Sequence, residues 1–262
     1  MPARDFDIDI AVDDQRIAGT LVTPSKLLPG ALFVHGWGGN QKQYLARARE
    51  IAALGCVCLT IDLRGHGQAD QHNETVTRED NLRDMIAAYD VLIAQRGVDP
   101  SAIAMVGSSY GGYLAAILSS VRPVRWLALR VPALYRDEDW TVPKSQLNKA
   151  DLAAYRQTRV TPKENRALAA CAAFKGDVLL VESEHDAIVP HCVIANYRAA
   201  FEQSHSLTYR VIEGADHGLS EDRWQQAYTS ILVNWATEMV LGSREGADAP
   251  EVYKRLKTTP PA

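Results

Sequence analysis

Gly107-Ser108-Ser109-Tyr110-Gly111 has the form G-x-S-x-G and stands between two opposite kinds of local structure. The apolar run 102–106 ahead of it reads as a strand, and 112–118 behind it as a helix. A serine at such a strand-to-helix turn is held exposed, in a strained backbone that only small neighbours permit. Its hydroxyl is a weak nucleophile, so it needs a base within hydrogen-bond reach and an acid to orient that base. In an α/β sheet such partners belong in loops at the carboxyl ends of later strands. Two loops qualify. The strand 178–181 leads into Glu182-Ser183-Glu184-His185-Asp186, and the strand ending at Ile212 leads into Glu213-Gly214-Ala215-Asp216-His217. Asp186 is the expected acid and His217 the expected base.

Each assignment has rivals. Ser108 misses the serine position by one residue. Glu182 and Glu184 compete with Asp186, but Glu182 sits almost on the strand and neither stands correctly ahead of Val189-Pro190. His185, His191 and His205 compete with His217. His185 directly precedes the acid, His191 lies past Pro190, and His205 falls before a strand, at the wrong end of the sheet.

The elements that must position these residues alternate. Residues 5–12 have the polar/apolar period of a half-buried strand, Asp13-Asp14 reads as a turn and 17–22 as the returning strand. This N-terminal hairpin suggests an antiparallel edge. The runs 31–34 and 57–61 are continuously apolar, as expected of strands covered on both faces. Between them 41–54 has helical spacing with Gly55 as its stop. A helix over 79–95, capped by Thr77 or Asp80, precedes the strand 103–106, and a helix over 112–120 precedes the strand 126–131. Strands at 177–181 and 207–212, helices at 193–201 and 222–240, complete the pattern. The expected fold class is α/β, one domain over 1–262 with a mostly parallel central sheet and helices on both faces. Residues 134–174 are too long for an ordinary connection and read as a small helical cap insertion. The segment 242–262 reads as a loosely ordered tail.

Composition narrows the partners. The 262 residues are 47% hydrophobic, enough for a sizeable core, and carry a formal charge of −4 without a Lys/Arg block. Nucleic-acid and anionic-membrane binding gain no support. No apolar signal core opens the sequence, and no apolar run is long enough to span a bilayer. Cys56, Cys58, Cys171 and Cys192 form no C-x-x-C pair and read as free thiols of a cytoplasmic protein. The histidines lack paired zinc-ligand spacing, so no metal or cofactor is expected.

In these motifs the chain resembles the α/β-hydrolases, in the neighbourhood of dienelactone-hydrolase-like, prolyl-oligopeptidase-like and small esterase members. The resemblance runs from about Gly30 to Val240. His35-Gly36-Trp37-Gly38-Gly39 matches the family's HGxGG loop, and Asp62-Leu63-Arg64-Gly65-His66-Gly67 its D-x-R-G-x-G loop. Gly107 to Gly112 matches G-x-S-x-G-G, Asp186 to Pro190 the D-x-x-V-P acid loop, and Asp216-His217-Gly218 the histidine loop. The order Ser109, Asp186, His217 is that of the fold. The resemblance implies an oxyanion hole built from the backbone N–H groups of Trp37 and Tyr110. His35, His66, Asp62 and Arg64 then serve to brace loops.

The resemblance implies a serine hydrolase acting on a small-molecule carboxylic ester through an acyl-enzyme, with activity rising with pH as the imidazole loses its proton. Ser109 stands where dehalogenases and epoxide hydrolases place Asp and dienelactone hydrolases proper place Cys. Thioester hydrolysis and acyl transfer remain open, as does a peptidase or amidase of prolyl-oligopeptidase type. Most such peptidases carry a large N-terminal propeller, which this sequence lacks; recognition of a substrate amine could come from Asp137, Glu138 and Asp139. A non-catalytic binding protein on a hydrolase scaffold is the remote alternative. Trp37, Tyr135 and Trp140 are the expected pocket residues, from an aromatic set that also includes Tyr110 and Tyr155. Oligomeric state is left open.

Overall fold

Successive residues of a strand point to opposite faces of its sheet, so a strand apolar at every position must be covered twice. The central strands here obey that rule residue by residue. The computed structural model describes residues 3–12, 15–24, 27–66 and 74–248, with side chains over 27–66 and 74–242.

β1 (Ala3–Val12) and β2 (Gln15–Pro24) pair antiparallel, in register from Ala3 opposite Pro24 to Val12 opposite Gln15. Among the described residues they form a two-stranded sheet of their own. Among these residues the main sheet has no antiparallel edge, contrary to expectation, and the expected turn at Asp13-Asp14 lies outside the described residues. β3 (Leu28–Val34), β4 (Val57–Ile61), β5 (Val98–Ser108), β6 (Trp126–Arg130), β7 (Asp177–Ser183) and β8 (Ser206–Ile212) make a six-stranded sheet in the order β4-β3-β5-β6-β7-β8. All its pairings are parallel.

Two core clusters, one on each face, divide the strands by alternate residues. Leu32 and Val34 of β3, Leu127 and Leu129 of β6, and Val178 and Leu180 of β7 join one cluster. Ala31 and Phe33, Trp126 and Ala128, and Leu179 and Val181 join the other. The first cluster is closed by α2 (Arg78–Ile93), α3 (Tyr110–Leu118), α5 (Arg166–Ala173) and α6 (His191–Ala200). The second is closed by α1 (Lys42–Ala53) and α7 (Asp222–Asp248). Fully burying a Leu or Phe in such a core is worth about 1.5–3 kcal/mol.

Helix ends follow local chemistry. Thr77, not Asp80, is the N-cap of α2. Its hydroxyl accepts the Asp80 N–H while the Asp80 carboxylate accepts the Thr77 N–H, each at 3.1 Å, a reciprocal capping box. α3 starts at Tyr110, two residues before Gly112, because the turn at Ser109 leads directly into it.

Between β6 and β7 the chain forms a 3-10 turn (Lys144–Gln146), α4 (Lys149–Arg156) and α5, whose ends are capped by the side chains of Asn148 and Asn165. Arg156 donates to Leu134 O at 3.2 Å and to Ile188 O at 3.0 Å, tying this segment to the loop after β7. α7 continues through Gly242 to Asp248, where a loosely ordered tail was expected to begin; 249–262 lie outside the described residues. Among the described residues no helix is long and apolar enough to cross a membrane.

Candidate active site

In this strand order the chain leaves β3 toward β4 on one side and returns through β5 on the other, so the loops after β3 and β5 diverge and leave a crevice at their carboxyl ends. Ser109 stands in that crevice. It is the N-cap of α3, with φ 51° and ψ −116°, a conformation costly to a residue with a side chain. The residues two positions to either side of it must be glycine. A Cβ on Gly111 would lie 2.5 Å from His35 O and from Val34 O, and one on Gly107 would lie 2.5 Å from Gly111 O. The turn is pinned by the Ser109 N–H donating to Arg130 O (2.9 Å) and by Ser109 O accepting from Tyr113 N and Ala133 N (both 3.0 Å).

Three of the sequence-predicted residues meet in one hydrogen-bonded chain. His217 Nδ1–H donates to Asp186 Oδ2 at 2.6 Å, which leaves Nε2 to accept from Ser109 Oγ at 3.0 Å. The other carboxylate oxygen of Asp186 accepts the N–H groups of Ile188 (2.8 Å) and Val189 (2.7 Å). That turn gives the D-x-x-V-P pattern a physical reason: it fixes the carboxylate while aiming Oδ2 at the imidazole. The Asp186 side chain is only 2% exposed. Asp216, next to the histidine, instead accepts from Ser220 N at 3.0 Å, and that hydrogen bonding holds its carboxyl below the ordinary value.

The rivals are placed elsewhere. Glu182 is buried and accepts from His191 Nδ1 (2.8 Å) and the Tyr209 hydroxyl. His205 pairs with Asp177 at 2.7 Å, at the start of β7 and the opposite end of the sheet from Ser109. His185 is exposed beside Glu184.

The loop 35–39 abuts the serine: a Cβ on Gly36 would be 3.4 Å from Ser109 Cβ and 4.0 Å from Oγ. Among the described residues the N–H groups of Trp37 and Tyr110 have no protein acceptor. His35 stabilises this loop. Its Nε2 accepts the Leu63 N–H at 3.1 Å and its Nδ1–H donates to Gly36 O at 2.8 Å, while burial lowers its pKa below the ordinary 6.5. Asp62 accepts from both the backbone and side chain of Gln41 at the head of α1. Arg64 donates to Asp84 and to Asp80 O on α2. His66 packs edge-on to Trp37 with centroids 4.4 Å apart. Gly67, the last residue of that motif, lies outside the described residues.

A cavity of about 330 Å³ opens on Ser109 and His217, and Trp37 lines it. Tyr135 and Trp140, the other expected pocket residues, are not among its lining. Tyr135 is 2% exposed, packed edge-on against Tyr110 and Tyr113, because the apolar run out of β6 draws it into the core. Trp140 is covered by the Arg166 guanidinium, 4.0 Å from its ring centroid. Tyr155 packs under Arg136 and accepts from Asn165. Asp137 is taken up at the head of α5, where it accepts the Arg166 N–H at 2.9 Å and pairs with its guanidinium. The cavity wall is made instead by Arg47, Arg130, Gln225 and Tyr228, none of which sequence reasoning singled out. One signal was available: Arg130 ends the otherwise apolar run Trp-Leu-Ala-Leu-Arg, and strand alternation sends it to the face of Trp126 and Ala128.

A model of the prolyl oligopeptidase family matches residues 42–243. No curated protein matches the sequence significantly. Among solved structures, a dienelactone hydrolase from Anabaena variabilis is similar with a TM-score of 0.56 at 19% identity, over 89% of this chain and 96% of that one. Carboxyl esterase 2 of the mycorrhizal fungus Tuber melanosporum is similar with a TM-score of 0.58 at 19% identity, over 91% and 87%. An acylaminoacyl peptidase of Pyrococcus horikoshii is similar with a TM-score of 0.59 at 14% identity, over 91% of this chain and 42% of that one. At these identities the likenesses establish the α/β-hydrolase fold.

Proposed function

The chain belongs to the prolyl oligopeptidase family, within the α/β-hydrolase superfamily, and from that membership we propose a serine hydrolase that cleaves small carboxylic esters. The observation that carries the reading is the unbroken Asp186–His217–Ser109 hydrogen-bonded chain at the strand-to-helix turn. His217 Nε2 takes the hydroxyl proton as Ser109 Oγ attacks the ester carbonyl carbon. The carbonyl oxygen gains negative charge, and the N–H groups of Trp37 and Tyr110 stabilise it; one such donor is worth about 3 kcal/mol of barrier. The C–O bond then breaks, the imidazolium returns its proton to the departing alkoxide, and an acyl-enzyme remains on Ser109. Water, deprotonated by the same imidazole, releases the acid and restores the hydroxyl. Asp186 stays ionised throughout, holding the tautomer that leaves Nε2 free and stabilising the imidazolium. The segment 134–174 serves as a cap, and the four free cysteines support a cytoplasmic setting.

The family match also supports a peptidase reading. Engagement of Asp137 by Arg166 weakens the recognition of a substrate amine by the acidic cluster, so the ester reading is preferred. Wild-type protein should hydrolyse p-nitrophenyl acyl esters and label with a fluorophosphonate, and Ser109→Ala should abolish both. Full ester hydrolysis by Ser109→Ala refutes the assignment. Faster turnover of aminoacyl-amides than of acyl esters transfers it to the peptidase reading.

A further inference from the structure

The cavity beside Ser109 has a cationic wall. Arg47 of α1 and Arg130 of β6 both line it, and they are 8% and 7% exposed. Among the described residues no carboxylate lies within 4 Å of either guanidinium, and no Asp or Glu lines the cavity. A buried charge without a counter-ion is costly, and a pair of them in one wall is costlier. Each guanidinium is instead held by neutral acceptors. Arg47 donates to Gln43 O, Thr229 Oγ1 and Gln225 Oε1. Arg130 donates to Ser108 Oγ, Ser183 Oγ and His217 O. Three of the five N–H bonds of each are thereby used, leaving one on each terminal nitrogen to donate to an anion.

Tyr228 of α7 sits between the two. Its ring centroid is 4.8 Å from Arg47 Cζ and 5.6 Å from Arg130 Cζ. Its hydroxyl is fully buried and makes no hydrogen bond within 3.5 Å, though it lies near the Ser108 side chain, in a residue 1% exposed that lines the same cavity. Two guanidiniums lacking an acid, with a buried hydroxyl that makes no hydrogen bond of ordinary length beside them, are what an anion-binding pocket presents when its anion is part of the substrate.

Resting on the ester-hydrolase reading, we propose that the enzyme selects esters carrying a free carboxylate near the scissile carbonyl, held by Arg47 and Arg130 with Tyr228. The carboxylate belongs either to the acid half, as in the monoester of a dicarboxylic acid, or to the alcohol half, as in an acylated hydroxy acid.

Three esters of similar size separate these cases in a pH-stat assay: ethyl butanoate, monoethyl succinate and carboxymethyl butanoate. Wild-type kcat/KM, corrected for each ester's alkaline hydrolysis rate, should favour one of the charged esters over ethyl butanoate by at least about tenfold. Which charged ester rises identifies the half that bears the carboxylate. Arg47→Gln should collapse that preference by about tenfold or more, and Arg47→Lys should retain part of it. Comparing the same ester pair across variants removes intrinsic reactivity. A wild type that turns over ethyl butanoate without preferring either charged ester overturns this proposal alone. So does a preference that survives Arg47→Gln. If Arg47→Gln fails to fold, glutarate should protect wild-type Ser109 from fluorophosphonate labelling where glutaramide does not, and equal behaviour of the two overturns the proposal. Absence of both labelling and ester turnover in folded wild type removes the ester reading and this one with it.

Discussion

Replacing Gly111 by alanine should damage activity out of proportion to its chemical size. The new Cβ would stand 2.5 Å from two backbone oxygens, those of Val34 and His35, and 2.8 Å from Val34 C. Ordinary contacts begin near 3.4 Å, so roughly 0.9 Å must be recovered by moving backbone, since no flexible side chain can yield. The atoms that must part are the end of β3 and the first turn of α3. Those two segments carry the Trp37 and Tyr110 N–H groups proposed to stabilise the oxyanion. Overpacking of this kind costs about 1–3 kcal/mol of stability, and a misplacement near 1 Å costs about a hundredfold in rate. We expect Gly111→Ala to lower kcat on a p-nitrophenyl ester by about a hundredfold, with Tm reduced and KM little changed. Active-site counting with a fluorophosphonate corrects for any unfolded fraction. Gly242→Ala is the matched control, because nothing lies within 4 Å of its would-be Cβ in α7. Helix propensity predicts that it raises stability by up to about 1 kcal/mol. Wild-type kcat in Gly111→Ala would refute the coupling between the nucleophile turn and the loop at Trp37.

Asp186→Asn keeps an oxygen for the N–H groups of Ile188 and Val189 but turns an amide toward His217, selecting the wrong imidazole tautomer. kcat should fall about 10⁴-fold with only a small change in the far-UV circular dichroism and Tm. Lys144 lies 4.1 Å from the Trp37 ring centroid, and burial foremost, then Arg156 and Arg78, lowers its pKa from 10.5 to about 7. Below pH 7 both folded and unfolded chains carry the ammonium, so the burial penalty stands in full. Between about 7 and 10.5 only the unfolded chain binds that proton, so stability rises with pH. Lys144→Met should therefore raise Tm most at pH 7 and below, with the gain shrinking toward pH 10.5; a pH-independent gain would contradict the assignment. Thr77→Ala removes the hydroxyl that accepts the Asp80 N–H at the start of α2, leaving the backbone half of the capping box, and should cost about 1 kcal/mol in urea unfolding.

Much of the scaffold was legible because burial imposes a period. Continuous apolar runs announced β3 and β4 as strands covered on both faces; β3 is buried, whereas β4, at the edge of the sheet, is half-buried throughout. The segments between the strands announced helices. The residues that meet at Ser109 were legible because loop chemistry is local: Asp186 makes its own turn with Ile188 and Val189, and the glycines around Ser109 answer to backbone contact. Less local features escaped. Tyr135 follows a strand and could as well have faced a pocket as the core; packing against Tyr110 and Tyr113 settles it. A hairpin pattern over 5–22 says that two strands pair, not whether they join another sheet. A loosely ordered tail was expected from 242, yet α7 passes through Gly242 and Gly246, since each glycine costs a helix only about 1 kcal/mol.

By itself the sequence determined which residues can do the chemistry, through residue type and chain order, and which elements carry them, through hydrophobic period. Tertiary structure alone decided the distances: 3.0 Å from Ser109 to His217 across 108 residues of chain, and 2.6 Å onward to Asp186. It also decided what surrounds the serine. Arg47, Arg130 and Tyr228 share no motif and come from a helix, a strand end and a second helix. Only the packing of α1 and α7 on one face of the sheet brings their side chains to a common wall, because a pocket is defined by which surfaces meet rather than by which residues are adjacent in the chain.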